Sequence, residues 1–167
     1  FSSGDLRMNK INAGEDVSAF SDMAVEDVAT NFINYLIRTG HAKANSRCNI
    51  PIAILIAKAD IKEVKREIGP AKINSIFRNN TEQYGTYENA RDSVCRQFLI
   101  NIGLASTVDN LETQFSNLRY FPVSAIGHSA DGTPYEPWGI MDAIEWMLPL
   151  ADKDLSDLIT PPAVVSQ

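Results

Sequence analysis

Three features that the sequence largely lacks exclude whole classes of protein. Two cysteines, Cys48 and Cys95, in 167 residues are too few and too isolated for a disulfide framework or a thiolate metal site, so we expect buried free thiols. No apolar stretch approaches the roughly 18 residues that cross a bilayer, and the first residues do not resemble a signal peptide. The net charge of −6, without a basic cluster, disfavours binding to nucleic acid. These absences predict a cytoplasmic protein with no membrane span.

The length and composition suit one domain. A chain of 167 residues of which 44% are hydrophobic can bury a core without disulfides or metal. The sequence begins with Phe1, and its first stretch is polar and has no clear periodicity. We therefore expect residues 1–20 to be an irregular leading segment and residues 1–150 to be the carboxyl-terminal portion of a domain that begins upstream. Residues 151–167 are expected to form a tail or linker.

The pattern of apolar residues predicts that helices predominate. Periods close to 3.6 residues indicate helices at residues 21–39, 61–68, 70–78, 86–102 and 137–148, with a shorter helix beginning at Ser106. Ser106-x-x-Asp109 resembles a capping box for that shorter helix, and Pro137 is predicted to be the first residue of the last helix. Residues 79–85 are polar and are predicted to form a loop. The side chains that the last helix is expected to bury are apolar: Ile140, Met141, Ile144 and Met147.

Two stretches, residues 51–57 and 119–124, are predicted to be strands. The first is an unbroken apolar run, which is typical of a strand buried on both faces of a parallel sheet. The helices between the two strands imply parallel pairing with a right-handed crossover. Pro122 argues against a central position for the second strand. The expected fold class is therefore α/β, a partial parallel sheet with flanking helices that strands from upstream or from another chain would complete.

Charged residues follow the first strand directly. Lys58 and Asp60 stand at its carboxyl end, and in open α/β sheets ligands bind outside the carboxyl ends of the strands. A cation and an anion at that edge favour recognition of a nucleotide base. The structural alternative is that both residues simply close a core strand with polar groups, since charged residues are mostly exposed.

Both strand ends carry short motifs of one family. Lys58-Ala59-Asp60 resembles the base-recognition motif of P-loop GTPases, Asn/Thr-Lys-x-Asp, and Ser124-Ala125-Ile126 resembles the Ser-Ala-x motif of the same family. The long interval between them, together with Pro137-Trp138-Gly139-Ile140, is similar to GTPases of the translation-factor-related class, bacterial double-GTPase type. The resemblance covers most of residues 50–149. It implies the carboxyl-terminal half of a P-loop NTPase-like three-layer fold.

The resemblance also implies a nucleotide-binding role for Lys58, Asp60, Ser124, Ala125 and Ile126. Guanine presents two adjacent donors, N1–H and N2–H₂, and the Asp60 carboxylate would accept from both, whereas adenine lacks those donors. The aliphatic stem of Lys58 would lie along the base while its ammonium stays in water. The Ala125 N–H would point at guanine O6, and Ser124 would brace the loop.

The phosphate-binding parts of the family do not occur in this sequence. It contains neither Gly-x-x-x-x-Gly-Lys-Ser/Thr nor Asp-x-x-Gly, so GTP or GDP with Mg²⁺ would need ligands upstream of Phe1. Ala57 also stands where the family has Asn or Thr, whose side chain ties this loop to the phosphate-binding loop. The resemblance thus implies GTP binding and slow hydrolysis only if that upstream half exists, and no catalytic residue comes from this chain.

Two other functions remain open. A degenerate GTPase-like scaffold that binds a protein partner without nucleotide would account for Ala57 and for the missing phosphate loop. A hydrolase would pair His128 with Ser124 or Ser129, although the sequence has no Gly-x-Ser-x-Gly elbow. No group of Cys, His, Asp and Glu has the spacing of metal ligands.

Overall fold

A computed structural model of the protein describes residues 25–43, 46–127 and 135–151. The expected leading segment, residues 1–20, and the expected tail beyond residue 151 lie outside these ranges. The domain boundaries inferred from the sequence therefore stay predictions.

The described residues form seven α-helices, one π-helical segment and two strands. Their bounds in chain order are α1 Val25–Arg38, β1 Ile52–Ile56, α2 Lys62–Ile68, α3 Pro70–Asn79, α4 Thr81–Tyr84, α5 Tyr87–Leu99, the π-helical segment Ile100–Leu104, α6 Ala105–Gln114, β2 Leu118–Pro122 and α7 Ile140–Ala151. The order of helix, strand, several helices, strand and helix agrees with the sequence-based expectation. The short helix α4 replaces most of the loop predicted over residues 79–85.

The strands β1 and β2 pair in parallel, as the helical connection between them predicts. Their register runs from Ile52 opposite Leu118 to Ile56 opposite Pro122, and an isolated parallel bridge at Cys48 precedes it. A parallel pair joined through helices is the building unit of mixed α/β folds, so the general α/β class is confirmed. The P-loop NTPase fold implied by the resemblance stays a prediction.

Helices pack on both faces of this sheet. One face carries Ile54, Ile56 and Tyr120, which pack with side chains of α2 and α5, while α1 and α6 form a neighbouring cluster on the same side. The opposite face carries Phe121 and Val123, which pack with Ala143 of α7. Because the two strands run parallel, their carboxyl ends and the loops that follow them lie at one edge of the sheet.

The expectation that β1 is buried on both faces is wrong. Ile56 is buried, but the three residues before Leu55 are only half-buried, and 38% of Leu55 is exposed. Leu55 shares a face with Phe121, its partner in the register, and α7 is the described helix on that face. α7 contacts both strands but leaves Leu55 partly exposed, so the apolar sequence of β1 exceeds the cover that the described residues provide.

The last helix begins at Ile140 rather than at Pro137. An antiparallel bridge that pairs Trp138 with Ser124, in the loop after β2, holds this stretch extended, so the helix begins after it. α7 buries Ala143 instead of the expected residues. Ile140 and Met141 are 39% and 60% exposed, and the other two expected residues are half-buried.

The sequence indicates the start of α5 correctly but not that of α6. Thr86 caps α5, where its Oγ1 accepts a hydrogen bond from the N–H of Asn89 (3.2 Å). Gly103 interrupts the following π-helical segment with φ 89°, a conformation that glycine adopts readily. Ser106 lies inside α6, which has no side-chain cap, so the predicted capping box is wrong. Gly103 breaks the helix with its non-helical φ and ψ, and α6 begins after this kink with Leu104, not a serine, at its N-cap.

Candidate functional site

Two backbone hydrogen bonds hold the loops after β1 and β2 side by side. The N–H of Val123 donates to the carbonyl of Ile56 (2.9 Å), and the N–H of Ala59 donates to the carbonyl of Val123 (3.0 Å). The pairing thus continues past the last residue of each strand. As a result, the loop with Lys58 and Asp60 lies against the loop that begins at Ser124.

Asp60 and Ser124 are in direct contact. The Ser124 hydroxyl donates to Oδ1 of Asp60 at 2.6 Å and accepts a hydrogen bond from the N–H of Gly127 at 2.7 Å. Ser124 is fully buried, with 0% of its surface exposed, whereas Asp60 is half-buried. A buried hydroxyl with both a donor and an acceptor partner has one preferred orientation, so Ser124 fixes the direction in which the Asp60 carboxylate accepts.

The Asp60 carboxylate has capacity beyond this contact. An ionised carboxylate has about four lone-pair sites on its two oxygens, and Ser124 uses one of them. Chemically, the group is therefore able to accept further hydrogen bonds from a ligand with two adjacent donors. Its partial exposure gives such a ligand a route to it.

Ala125 and Ile126 lie on a short antiparallel ladder. Ser124 and Trp138 exchange two backbone hydrogen bonds of 3.0 Å each, and the N–H of Glu136 donates to the carbonyl of Ile126 (3.0 Å). Backbone groups alternate in direction along a strand, so the N–H of Ala125 points away from this ladder. Ala125 is exposed, and no hydrogen bond among the described residues uses its N–H.

Lys58 has an unusual backbone conformation. Its φ is +57°, in the left-handed region that costs an L-residue about 1 kcal/mol or more. The N–H of Ile61 donates to the carbonyl of Lys58 (3.2 Å), which closes a turn, and the Lys58 side chain is exposed. Strained non-glycine residues cluster at ligand-binding sites, so this conformation is consistent with a site here without specifying its ligand.

Three residues that help to form the site were not assigned a role from the sequence. Gly127 donates to Ser124, and a Cβ at Gly127 would lie 2.0 Å from the carbonyl oxygen of Glu136, so only glycine fits there. Trp138 and Glu136 supply the backbone of the ladder. The glycine three residues after Ser124 is the one local signal of this turn, because a long-range ladder leaves no periodic pattern in the sequence.

The described residues contain no metal site, and of the groups that the hydrolase alternative uses they contain only Ser124. No cluster of three His, Cys, Asp or Glu side chains that could hold a metal ion occurs within residues 25–43, 46–127 and 135–151. His128 and Ser129, which the hydrolase alternative requires, lie outside these ranges. Among the described helices, none has the length and apolar character needed to span a membrane.

The two cysteines are buried free thiols, as the sequence predicts. Burial raises the pKa of Cys95 far above its usual range, and the nearby Asp92 adds to the rise. A thiol that stays protonated at every physiological pH is a poor nucleophile. Cys95 is fully buried and packs in the core.

Two surface grooves lie away from the predicted site residues. One, of about 420 Å³, is bordered by α3 and α5 and includes Gln83 and Gln97. The other, of about 400 Å³, lies between α5, β2 and α7 and includes Arg119 and Trp146. No residue that lines either groove belongs to the two motifs.

Comparison of the chain with protein-family models, with curated proteins and with solved structures found no match.

Proposed function

We propose that this chain is the guanine-recognition half of a GTPase-like domain, which binds GTP or GDP together with an upstream half. The observation that carries the proposal is the 2.6 Å hydrogen bond from Ser124 to Asp60. It joins the two motif ends, 64 positions apart, and this contact at the carboxyl edge of the sheet supports base recognition there. Packing alone does not require a half-buried carboxylate held in place by a buried serine.

Each site residue has a defined task in this proposal. Asp60 accepts from N1–H and N2–H₂ of guanine, and its contact with Ser124 keeps it oriented for that purpose. The Ala125 N–H, which points away from the ladder, donates to O6. Lys58 covers one face of the base with its aliphatic stem, and the exposed Ile126 lines the approach.

The chain's own residues fit the base but not the phosphates or Mg²⁺. A phosphate loop supplies backbone N–H groups, a lysine and a hydroxyl ligand for the metal, and no such sequence occurs here. GTP binding and slow hydrolysis accordingly belong to the assembled protein. When bound, Mg²⁺ would neutralise charge on the β- and γ-phosphates, and this half would only hold the base.

The packing of α7 supports a position for the upstream half beside β1. One flank of α7 faces the β2 side, where Asp142 pairs with Arg91 at 2.6 Å and Trp146 lies beneath Arg119. At 100° per residue, the apolar residues at 140, 144 and 148 lie on the other flank, away from these β2 contacts. This apolar flank is available to pack against a strand and a helix that come from upstream or from another chain.

The second candidate is a scaffold of the same ancestry that binds a protein partner and no nucleotide. Ala57 favours it, because the methyl group of alanine cannot form the hydrogen bond that would tie this loop to a phosphate loop. The exposed apolar residues Ile140 and Met141 suit a protein partner equally well. Nucleotide binding separates the two candidates directly.

The decisive experiment compares the full-length protein with its Asp60→Asn variant in equilibrium binding of GTP, xanthosine triphosphate and ATP. We expect Asp60→Asn to weaken GTP by on the order of 100-fold, because two hydrogen bonds to a charged acceptor are lost. Xanthosine triphosphate should bind the variant more tightly than GTP, since its O2 accepts from the new amide.

Asp109→Asn is the matched control, because Asp109 is exposed on α6 and the change in charge is identical. It should leave all three affinities unchanged. If the wild-type protein binds none of the nucleotides, the scaffold replaces the GTPase-like proposal. If GTP binds but Asp60→Asn keeps the same preference, the assignment of Asp60 is wrong.

A further inference from the structure

The strand β2 has an inner edge toward β1 and an outer edge on the opposite side. The carbonyl of Asn117 accepts from Ile52 (2.8 Å), and the N–H of Val123 donates to Ile56 (2.9 Å). In a parallel strand, successive residues direct their backbone groups to alternate sides. The backbone groups of Asn117 and Val123 face β1. Those of Leu118, Tyr120 and Pro122 therefore face the outer edge.

Side chains and backbone of other elements already occupy this outer edge. The N–H of Tyr120 donates to Oδ1 of Asp92 in α5 at 2.8 Å, so a carboxylate takes the position of a neighbouring strand's carbonyl. Pro122 has no N–H to offer. A Cβ at Gly139 would lie 2.1 Å from the carbonyl oxygen of Pro122, so the backbone of Gly139 lies directly against that acceptor.

The Asp92 carboxylate accepts the hydrogen bond from Tyr120 in an environment that disfavours its charge. Burial raises the pKa of its carboxyl, while the hydrogen bond from the Tyr120 backbone opposes the rise. A desolvated carboxylate lowers stability unless a hydrogen bond compensates for it. Its hydrogen bond goes to the backbone at the middle residue of the strand edge, which indicates a role in closing the sheet.

We propose that Asp92 closes the outer edge of β2 and thereby prevents a second copy of this chain from pairing with it strand to strand. Exposed strand edges are templates for such pairing, and proteins block them with charged side chains and proline. β2 has both: the Asp92 carboxylate occupies the N–H of Tyr120, and Pro122, two residues later, has no N–H. The strand β2 is consequently the last of its sheet, and other strands join only on the side of β1. This inference does not depend on nucleotide binding.

The test replaces both Asp92 and Pro122 and measures self-association. The variant Asp92→Ala/Pro122→Val has a free N–H at Tyr120 and a new one at position 122, with an apolar residue retained. In sedimentation velocity over a concentration series, we expect it to associate at concentrations at least tenfold lower than the wild type does. Asp92→Asn keeps an acceptor oxygen without the charge and should behave as the wild type does, as should the exposed-site control Asp109→Ala.

Amide hydrogen exchange at Tyr120 supplies a second measurement, which needs only the single variant Asp92→Ala. We expect exchange at least tenfold faster there, at protein concentrations where the variant is monomeric and its near-ultraviolet circular dichroism is native. Unchanged exchange at Tyr120 overturns the inference even if the double variant does not fold. Association equal to the wild type in a folded double variant overturns it as well, and so does exchange in Asp92→Asn as fast as that in Asp92→Ala.

Discussion

The Ser124 hydroxyl donates a 2.6 Å hydrogen bond to Oδ1 of Asp60 across 64 positions of sequence. Ser124 is buried and Asp60 is half-buried, so the contact connects the interior of the protein to its surface. The same hydroxyl accepts from the N–H of Gly127. A single oxygen atom therefore connects the loop after β1 to the turn after β2. A substitution in one of these two segments should change the stability of the other.

Replacement of Ser124 by alanine should destabilise the protein and loosen Asp60. The N–H of Gly127 would lose its acceptor in a buried position, and an unsatisfied buried group costs roughly 1–3 kcal/mol. We expect a loss of that size in the free energy of unfolding by urea. Ser93→Ala is the control, because Ser93 is exposed on α5, and its effect should stay within about 0.5 kcal/mol. Equal effects of the two substitutions would show that the hydrogen bonds of Ser124 contribute nothing to stability.

Alanine at Gly127 should be more damaging than alanine at Gly103, although both glycines have φ close to 90°. A Cβ at Gly103 meets nothing within 4 Å, whereas one at Gly127 would lie 2.0 Å from backbone. Gly103→Ala therefore reports the conformational penalty alone, about 1–2 kcal/mol. Gly127→Ala adds a clash that the ladder must move to relieve. Thermal unfolding of both variants measures the difference, and similar melting temperatures would contradict the close approach.

The pair of Arg96 and Glu112 should make stability depend on pH in the acid range. Arg96 donates to both carboxylate oxygens, at 2.6 and 2.8 Å. These hydrogen bonds hold the pKa of Glu112 below its usual 4.5. Because the folded-state pKa is lowered, the contribution is present above pH 4.5 and is lost as the pH falls through the folded-state value. Both side chains are partly exposed, so it should amount to no more than about 1 kcal/mol.

Urea unfolding of Glu112→Gln between pH 3 and pH 7 measures this contribution. The stability difference from the wild type should be largest near neutrality and should shrink toward pH 3. Arg96→Met removes the same contact from the other side and should give the same pH profile. A difference that stays constant or grows as the pH falls would contradict the assigned direction of the pKa.

Local patterns in the sequence predicted much of the fold. The apolar runs and periods placed both strands and most of the helices, because these signals depend only on near neighbours. Parallel pairing followed from the length of the helical connection. The predicted start of α7 was wrong, since the bridge from Trp138 to Ser124 is a tertiary contact that the local pattern does not contain. The burial of β1 was overestimated, since an apolar strand sequence does not say how many helices cover it.

The sequence by itself determined which chemical groups stand at the carboxyl ends of the two strands, and that those ends meet at one edge. The ends meet because parallel strands run in the same direction, so that their carboxyl ends lie at the same edge of the sheet. Only the tertiary structure decided that Ser124 is buried against Asp60, that Gly127 completes the turn, and that Asp92 occupies the outer edge of β2. Each of these is a hydrogen bond or a close approach whose geometry depends on how whole elements pack, and no local pattern encodes it.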